Sequence, residues 1–243
     1  MRVTTPGTYL TQLTRLPRAF PVNCYLVRED DGLTLVDTAL PGSARGILAA
    51  AQRLGLPIKR ILLTHAHMDH VGSLDALHAA LPQAEVRISE RDARFLAGDR
   101  RLEPDELPGK PKGSWKTCTT RPAGYLKDGD RIGSLLVVPA PGHTPGHMAF
   151  IDTRDGTLIA GDAFQTRAGI AVSGTVRWLF PFVAMATWSK ARALESAFTL
   201  RDLRPARLAV GHGEVLEAPA EAIDRAIAEA QRRLGVQQLQ HGT

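Results

Sequence analysis

The feature that most constrains this chain is the run HAHMDH at residues 65–70, which places three histidines and one aspartate within six positions. It follows residues 60–63 (RILL), whose three consecutive apolar residues predict a buried strand. Because alternate side chains of an extended segment point the same way, His65 and His67 can bind one metal ion. If the chain then turns into a helix, the aspartate and the last histidine can face a second ion. Imidazole and carboxylate groups suit Zn²⁺ best among the common ions, with iron and manganese as alternatives.

Hydrophobic periodicity predicts strands and helices that alternate in both halves of the chain. The first half predicts strands at 8–13, 23–27, 33–36, 60–63 and 85–88, with helices at 44–54 and 71–81. The second half predicts strands at 131–139, 147–152, 157–160 and 207–210, with helices at 189–203 and 219–234. Each half begins with strands and then alternates them with helices, which favours an α+β sandwich of two sheets with helices outside.

Length and composition indicate one globular domain. We expect residues 1–243 to form a single domain, interrupted around residues 96–120 by a loop or lid insertion rich in proline and glycine. No apolar run is long enough to span a bilayer, and residues 1–10 lack the pattern of a secretory signal. Two cysteines are too few for a disulfide framework. These observations predict a cytoplasmic protein without a membrane partner.

The formal net charge of +5 raises the question of an anionic partner. Basic residues concentrate between residues 91 and 131, where a solvated loop and an anion-binding patch are both possible interpretations. We favour the solvated loop, because no aromatic residues interleave with the charges as they do in many nucleic-acid-binding surfaces. Nucleic acid is therefore not an expected partner, and a small-molecule substrate is.

Five short motifs occur in a fixed order along the chain. They are residues 36–38 (VDT), 64–70 (THAHMDH), 141–147 (PGHTPGH), 160–162 (AGD) and 210–213 (VGHG). In these motifs and their order the chain resembles the metallo-β-lactamase-fold superfamily over nearly its whole length. The resemblance implies a four-layer αββα sandwich with metal ions in a shallow cleft at one edge.

The resemblance also implies how the ligands divide between two ions, which we expect to be two Zn²⁺ per chain. Asp37 is expected to accept hydrogen bonds that orient the His65 loop. His147 is expected to form a hydrogen bond or to pack, because His143 holds the ligand position of its motif; His78 and His241 are not expected to take part. The implied ligands are His65, His67 and His143 for one ion, Asp69, His70 and His212 for the other, and Asp162 as the bridge.

This ligand set predicts a hydrolase. A water bridging two metal ions loses a proton near neutral pH, and the hydroxide can attack a carbonyl or phosphoryl centre. Asp69 and Asp162 are the candidate catalytic residues, because either can orient the hydroxide and Asp69 can carry its proton to the leaving group.

Among the branches of this superfamily, the chain most resembles glyoxalase II and the acyl-homoserine-lactone lactonases, and this resemblance implies an ester, thioester or lactone substrate. Gln165 stands where lactonases often carry a catalytic tyrosine, and the roughly thirty residues after His212 are too few for the helical domain of glyoxalase II. The aromatic run at residues 176–182, together with Trp188 and Phe20, can wall an apolar pocket or pack at an interface, so we expect a substrate with an apolar portion.

Two alternative functions stay open from the sequence. One is a phosphodiesterase or nuclease, and the other is a persulfide dioxygenase of the same fold that uses one iron ion and oxygen. The sequence also leaves open whether the protein is a monomer or a homodimer.

Overall fold

The structure is a computed structural model that describes residues 1–104, 106 and 110–235. His241 and four residues of the predicted loop insertion lie outside the described residues. That the whole chain forms one domain stays a prediction. Among the residues that are described, no helix is both long and apolar enough to cross a membrane.

The first sheet has seven strands that follow one another in chain order. Its first four strands are antiparallel, and its last four, which share the fourth strand, are parallel. The strands are β1 (Arg2–Thr4), β2 (Leu10–Arg15), β3 (Val22–Glu29), β4 (Gly32–Val36), β5 (Ile58–Leu62), β6 (Glu85–Ser89) and β7 (Gly124–Leu126).

The second sheet has six strands and packs face to face with the first. Its order is β15-β14-β11-β10-β9-β8, and only the β11–β14 pair is parallel. A separate ribbon of two short strands, β12 and β13, lies between β11 and β14 in the chain. The strands are β8 (Arg131–Ile132), β9 (Leu135–Pro139), β10 (Met148–Asp152), β11 (Thr157–Ile159), β12 (Phe164–Gln165), β13 (Ala171–Val172), β14 (Arg207–Ala209) and β15 (Leu216–Glu217).

In the described part of the chain, seven α-helices lie on the outer faces or connect the strands. The helices are α1 (Ala44–Leu54), α2 (Met68–Val71), α3 (Leu74–Ala80), α4 (Glu90–Leu96), α5 (Phe182–Ala186), α6 (Lys190–Asp202) and α7 (Ala220–Leu234). The predicted end of α1 is confirmed: Gly55 has a φ of 69° and its N–H donates to the Gln52 carbonyl, a geometry that glycine adopts without strain.

Two elements that were each predicted to be continuous are divided in two in the structure, so these two predictions were wrong. The helix expected over residues 71–81 is divided into α2 and α3, because the Ser73 hydroxyl donates to the Leu40 carbonyl and accepts from the Ser43 N–H, which draws the backbone out of helical geometry. The strand expected over residues 131–139 is a hairpin of β8 and β9, turned at Gly133, whose φ is 61°. Helix α4 was not predicted.

Three apolar clusters lie between the four layers of the fold and hold them together. The middle cluster joins the inner faces of the two sheets, for example Tyr25 and Val36 with Val137 and Phe150. A second cluster joins the outer face of the first sheet to α1, α3 and α4, and a third joins the outer face of the second sheet to α6 and α7. Strands buried on both faces show little polar alternation, as the run of buried residues in β3 illustrates. The fold is thus the expected αββα sandwich.

Candidate metal centre

The five motifs meet at one edge of the sandwich, where strands end. Asp37 follows β4, and residues 64–70 follow the neighbouring parallel strand β5. Asp162 follows β11, and His212 follows its parallel neighbour β14. Because parallel neighbours end at the same edge of a sheet, each pair of motifs is brought together by topology alone. The face-to-face packing of the sheets then joins the two pairs.

Three of the predicted ligands form the first group. The Nε2 atom of His65 lies 3.1 Å from Nδ1 of His67, and that Nδ1 lies 3.0 Å from Nε2 of His143. All three rings are buried. Their three nitrogens are close enough together to bind one metal ion.

Hydrogen-bond partners on the outer side of two rings show that the inner nitrogens carry lone pairs. His67 faces the Lys112 carbonyl oxygen through Nε2 at 2.8 Å, and since a carbonyl only accepts, Nε2 carries the hydrogen. His65 faces the Thr64 hydroxyl through Nδ1 at 3.0 Å, and that hydroxyl donates its one hydrogen to Asp37. Nδ1 of His65 is therefore also an N–H. Two lone pairs thus face each other 3.1 Å apart, an arrangement that a cation between them stabilises.

The other predicted ligands form a second group that touches the first through Asp162. Its Oδ2 atom lies 3.3 Å from Nε2 of His143 and 3.2 Å from Nε2 of His212, while its Oδ1 lies 3.4 Å from Nε2 of His70. Asp69 Oδ2 lies 3.3 Å from the same nitrogen of His212. Asp162 thus lies between the two groups, where a bridging ligand must be.

The outer nitrogens of the second group are held in the same manner. His70 Nδ1 lies 2.8 Å from Asp37 Oδ2, and His212 Nδ1 lies 2.7 Å from the carbonyl oxygen of Pro21. On the inner side, the buried atoms His70 Nε2 and Asp162 Oδ1 make no hydrogen bond within the described part of the chain. Buried polar atoms rarely lack partners, so these two fit a site that binds metal cations.

The electrostatics of the cluster keep Asp162 ionised although it is buried. Burial raises the pKa of Asp162, but the surrounding imidazoles, His212 first, outweigh burial and hold that pKa well below its ordinary value. Burial lowers the pKa of His212, but Asp162 and Asp69 outweigh it and raise that pKa to about 10. Burial lowers the pKa of His65 and His143 well below the ordinary value. Ionised carboxylates among buried imidazoles form a donor set typical of zinc and iron sites.

Asp37 orients the loop as the sequence predicted. Its Oδ1 accepts the Thr64 N–H at 2.8 Å, and its Oδ2 accepts from the Thr64 hydroxyl and from His70, each at 2.8 Å. Its φ is 63°, an uncommon value for aspartate. One carboxylate therefore holds His70 of the second group directly and His65 of the first group through Thr64.

Sequence reasoning missed a second anchoring carboxylate, Asp92. Its Oδ2 accepts from the Ala66 N–H and the Thr144 hydroxyl, and its Oδ1 accepts from the Gly146 N–H, each at 2.9 Å. Its position in the first turn of α4 carried one detectable signal, because Ser89 three residues earlier caps that helix by accepting from the Asp92 N–H at 3.1 Å. That pattern predicts a helix start and says nothing about a contact with the ligand loops.

His147 and Gln165 lie beside the ligands without joining them. His147 Nε2 accepts the Asp162 N–H at 3.1 Å, which is the hydrogen-bonding role expected from the sequence, and burial lowers its pKa to about 3. Gln165 is buried, and its amide donates to the Phe180 carbonyl at 3.4 Å. It therefore supports the chain behind the cleft.

A cavity of about 340 Å³ opens onto the two ligand groups. The sequence left open whether the aromatic run walls a pocket or packs at an interface. In the structure Phe20 and Phe182 line the cavity, whereas Trp178 and Leu179 are 88% and 89% exposed and do not. Phe180 is buried behind the wall, with its ring centroid 5.3 Å from that of His212. Apolar residues dominate the lining, namely Phe20, Leu40, Met68, Phe182, Val183, Met185 and Ala186.

The described part of the loop insertion covers His67. Lys112 supplies the carbonyl that orients this imidazole, Gly113 and Ser114 line the cavity, and the Trp115 ring lies 4.5 Å from the His67 ring. Several basic residues of the stretch between residues 91 and 131 are paired with acidic ones. These pairs are Arg91 with Glu106, Arg94 and Arg101 with Asp99, and Lys116 with Asp75. Such pairing favours a charge-balanced loop over an anion-binding patch.

Comparison with known proteins agrees with this geometry. Residues 17–212 match the Metallo-beta-lactamase superfamily, and the chain belongs to that superfamily. It is therefore a member of a metallo-hydrolase superfamily, and its His/Asp clusters have a geometry that could hold metal ions.

Individual relatives differ in their sequence identity to this chain and in how much of their length it covers. The chain is 55% identical to the uncharacterized protein YobT of Bacillus subtilis over 233 residues, which are 96% of this chain and all of that protein. It is 32% identical to a hydroxyacylglutathione hydrolase of Xanthomonas euvesicatoria pv. vesicatoria over 160 residues, 64% of this chain and only 51% of the relative. Among solved structures, TTHA1623 in a di-iron-bound form aligns with a TM-score of 0.62 and 28% identity, over 87% of this chain and 96% of that one.

Proposed function

We propose that the protein is a hydrolase that cleaves an ester, thioester or lactone with an apolar portion and uses two metal ions, zinc in the first instance. The observation that carries the proposal is the placement of Asp162 between two groups of inward-facing imidazoles. The proposed ligands are His65, His67, His143, Asp69, His70, His212 and Asp162.

Metal ions bound at this site would lower the pKa of a water molecule and polarise the substrate carbonyl. The chain itself would supply orientation and proton transfer. Asp69 is the more accessible of the two candidate catalytic carboxylates, with 19% of its side chain exposed against 3% for Asp162, and it lines the cavity. It is therefore the group that can accept a proton from the attacking water and return it to the leaving group. Asp162 would hold its position within the cluster.

The lining of the cavity supports an apolar acyl or leaving group. Apolar side chains converge on one side of the cleft, and burying each methylene of a substrate there is worth about 0.8 kcal/mol. The hydroxyacylglutathione hydrolases add support, since their name denotes the hydrolysis of an acylated thiol, although this chain spans about half of their length. Gln165 stands where lactonases often carry a catalytic tyrosine, and its amide bonds the Phe180 carbonyl behind the cleft. The chain therefore lacks that helper for lactone hydrolysis, and we rank lactones below esters and thioesters as substrates.

The experiment is a series of p-nitrophenyl esters and acyl thioesters of increasing chain length, with bis(p-nitrophenyl) phosphate for comparison. We expect kcat/KM to rise about threefold to fourfold per methylene until the cavity is full. Phe182→Ala should flatten this rise because Phe182 lines the cavity. Trp178→Ala is the matched control, since that neighbouring aromatic residue is exposed and outside the lining. A flat series, or faster cleavage of the phosphodiester than of any ester, would refute the proposed substrate class.

The metal itself is tested separately, because TTHA1623 was solved in a di-iron-bound form and iron is therefore a specific second candidate. Elemental analysis of the purified protein should give close to two zinc ions per chain. Two iron ions would keep the hydrolase proposal and change its metal. One iron ion together with oxygen consumption on a persulfide would replace it with a dioxygenase.

A further inference from the structure

His143 differs from the other proposed ligands in what holds the outer side of its ring. Nδ1 of His143 lies 3.0 Å from the Ser173 hydroxyl oxygen and 3.3 Å from that of Thr187. On the other four rings, a carbonyl or carboxylate group determines which ring nitrogen carries the hydrogen. For His65 it does so through the Thr64 hydroxyl. A hydroxyl can donate or accept, so these two contacts alone leave the hydrogen position on His143 open.

Counting hydrogens along the chain of hydroxyls settles it. The Thr187 hydroxyl lies 2.7 Å from the Val183 carbonyl oxygen, and because a carbonyl only accepts, the single hydroxyl hydrogen of Thr187 points there. The Ser173 and Thr187 hydroxyls lie 2.8 Å apart, so Ser173 must donate to Thr187. Ser173 then has no hydrogen left for His143, and Nδ1 of His143 must itself be the donor.

We infer that Ser173 and Thr187 are positioning residues that fix the tautomer of His143, so that its Nε2 presents a lone pair to the metal site. The inference rests on the proposed metal-binding role of His143. All three side chains are buried, so water does not compete for these hydrogen bonds. Nε2 of His143 in turn lies 3.0 Å from Nδ1 of His67 and 3.3 Å from Asp162.

The chain of hydrogen bonds also ends on a wall of the substrate cavity. Val183 belongs to α5, and this helix contributes four residues to the cavity lining. The Val183 carbonyl lies in the last turn of α5, where carbonyls lack partners within the helix, and the Thr187 side chain supplies one. The same short helix therefore walls the cavity and orients a ligand through Thr187.

The test compares Thr187→Val, which keeps the shape and removes the hydroxyl, with Thr187→Ser, which keeps the hydroxyl. Zinc transfer from the loaded full-length protein to 4-(2-pyridylazo)resorcinol measures zinc affinity. Loss of a partner that orients a ligand typically weakens metal binding about 10- to 100-fold, which is the loss expected for Thr187→Val. Thr187→Ser should restore it. Thr199→Val is the matched control, because Thr199 makes the same type of bond to the carbonyl four residues earlier on an exposed helix face.

A second readout separates positioning from general destabilisation. Long-range ¹H–¹⁵N correlation spectra report which imidazole nitrogen carries hydrogen, and wild-type His143 should be protonated at Nδ1 with or without zinc. Zinc affinity of Thr187→Val equal to that of wild type, or protonation of wild-type His143 at Nε2, would overturn the inference. If Thr187→Val does not fold, Ser173→Ala decides on the same readouts. A wild-type protein that binds no metal would refute the proposed function, while the spectra would still decide the tautomer.

Discussion

Asp92 offers the sharpest test of how the metal centre is supported, because one buried side chain joins two ligand loops. It bonds Ala66, which lies between His65 and His67, and Thr144, which follows His143. The residue is fully buried. We predict that Asp92→Ala destabilises the protein more than Asp92→Asn does. The pH dependence of stability then shows how much of the loss is due to the ionisation of Asp92 and how much to its shape.

The magnitudes follow from counting donors. Asp92→Ala leaves three buried donors without an acceptor, and each such group costs about 1–3 kcal/mol. The free energy of unfolding should therefore fall by about 3–9 kcal/mol, and Tm should fall by about 2–4 °C for each kcal/mol in a chain of this size. Asp92→Asn keeps one oxygen and turns the other position into a donor that faces a donor, which should cost about 1–3 kcal/mol.

The pH dependence has a definite sign. Burial raises the pKa of Asp92 from 3.8 to about 6, although the Thr144 hydroxyl and two backbone N–H groups lower it. The folded protein thus holds a proton that the unfolded chain releases between pH 4 and 6. This contribution, about 3 kcal/mol in full, is present below pH 4 and is lost as the pH rises through 6. About half of it remains at pH 5.

Urea unfolding at pH 5 and pH 8 measures the effect. The stability advantage of wild type over Asp92→Asn should be about 1 kcal/mol greater at pH 5 than at pH 8. Taking the difference between the two proteins cancels the pH dependence that they share. Asp224→Asn, on the exposed face of α7, is the control and should show no such change. An advantage independent of pH, or a cost below 1 kcal/mol for Asp92→Ala, would refute the reasoning.

Two further predictions concern the cleft. Asp162→Ala should lower metal content and turnover together, because Asp162 lies between the two ligand groups. Gln165→Ala should keep the metal and change the rate only modestly. Full metal content in Asp162→Ala would exclude Asp162 as the bridging ligand. Gly113→Ala should weaken metal retention, because a Cβ there would lie 2.2 Å from His67 Nε2. Gly42→Ala, at a similar positive φ with nothing within 4 Å, is the matched control, and equal metal retention in the two would rule out the close approach.

The sequence predicted those parts of the site that depend on local spacing. The alternation of His65 and His67 and the helix that follows are encoded within six residues. The closeness of Asp162 and His212 was implied only by the resemblance to the superfamily, and in the structure it follows from two parallel strands that end together. Asp92 was not predictable in this way, because its three partners lie 26 to 54 residues away and a lone aspartate in a helical first turn is common. The outward direction of Trp178 was equally hidden, since an aromatic run carries no information about which of its rings packs.

The hydrogen-bond partners of the five proposed imidazole ligands show at which positions the site depends on the identity of a residue. His67 and His212 donate to the backbone carbonyls of Lys112 and Pro21, and a carbonyl is supplied by any residue that keeps the backbone path. His65, His70 and His143 depend on side chains, namely Thr64, Asp37, Ser173 and Thr187. A backbone partner fixes an imidazole through the course of the loop, whereas a side-chain partner fixes it through residue identity. The loop insertion can therefore vary in sequence over the cleft without releasing His67, provided that Gly113 allows the backbone to approach the ring.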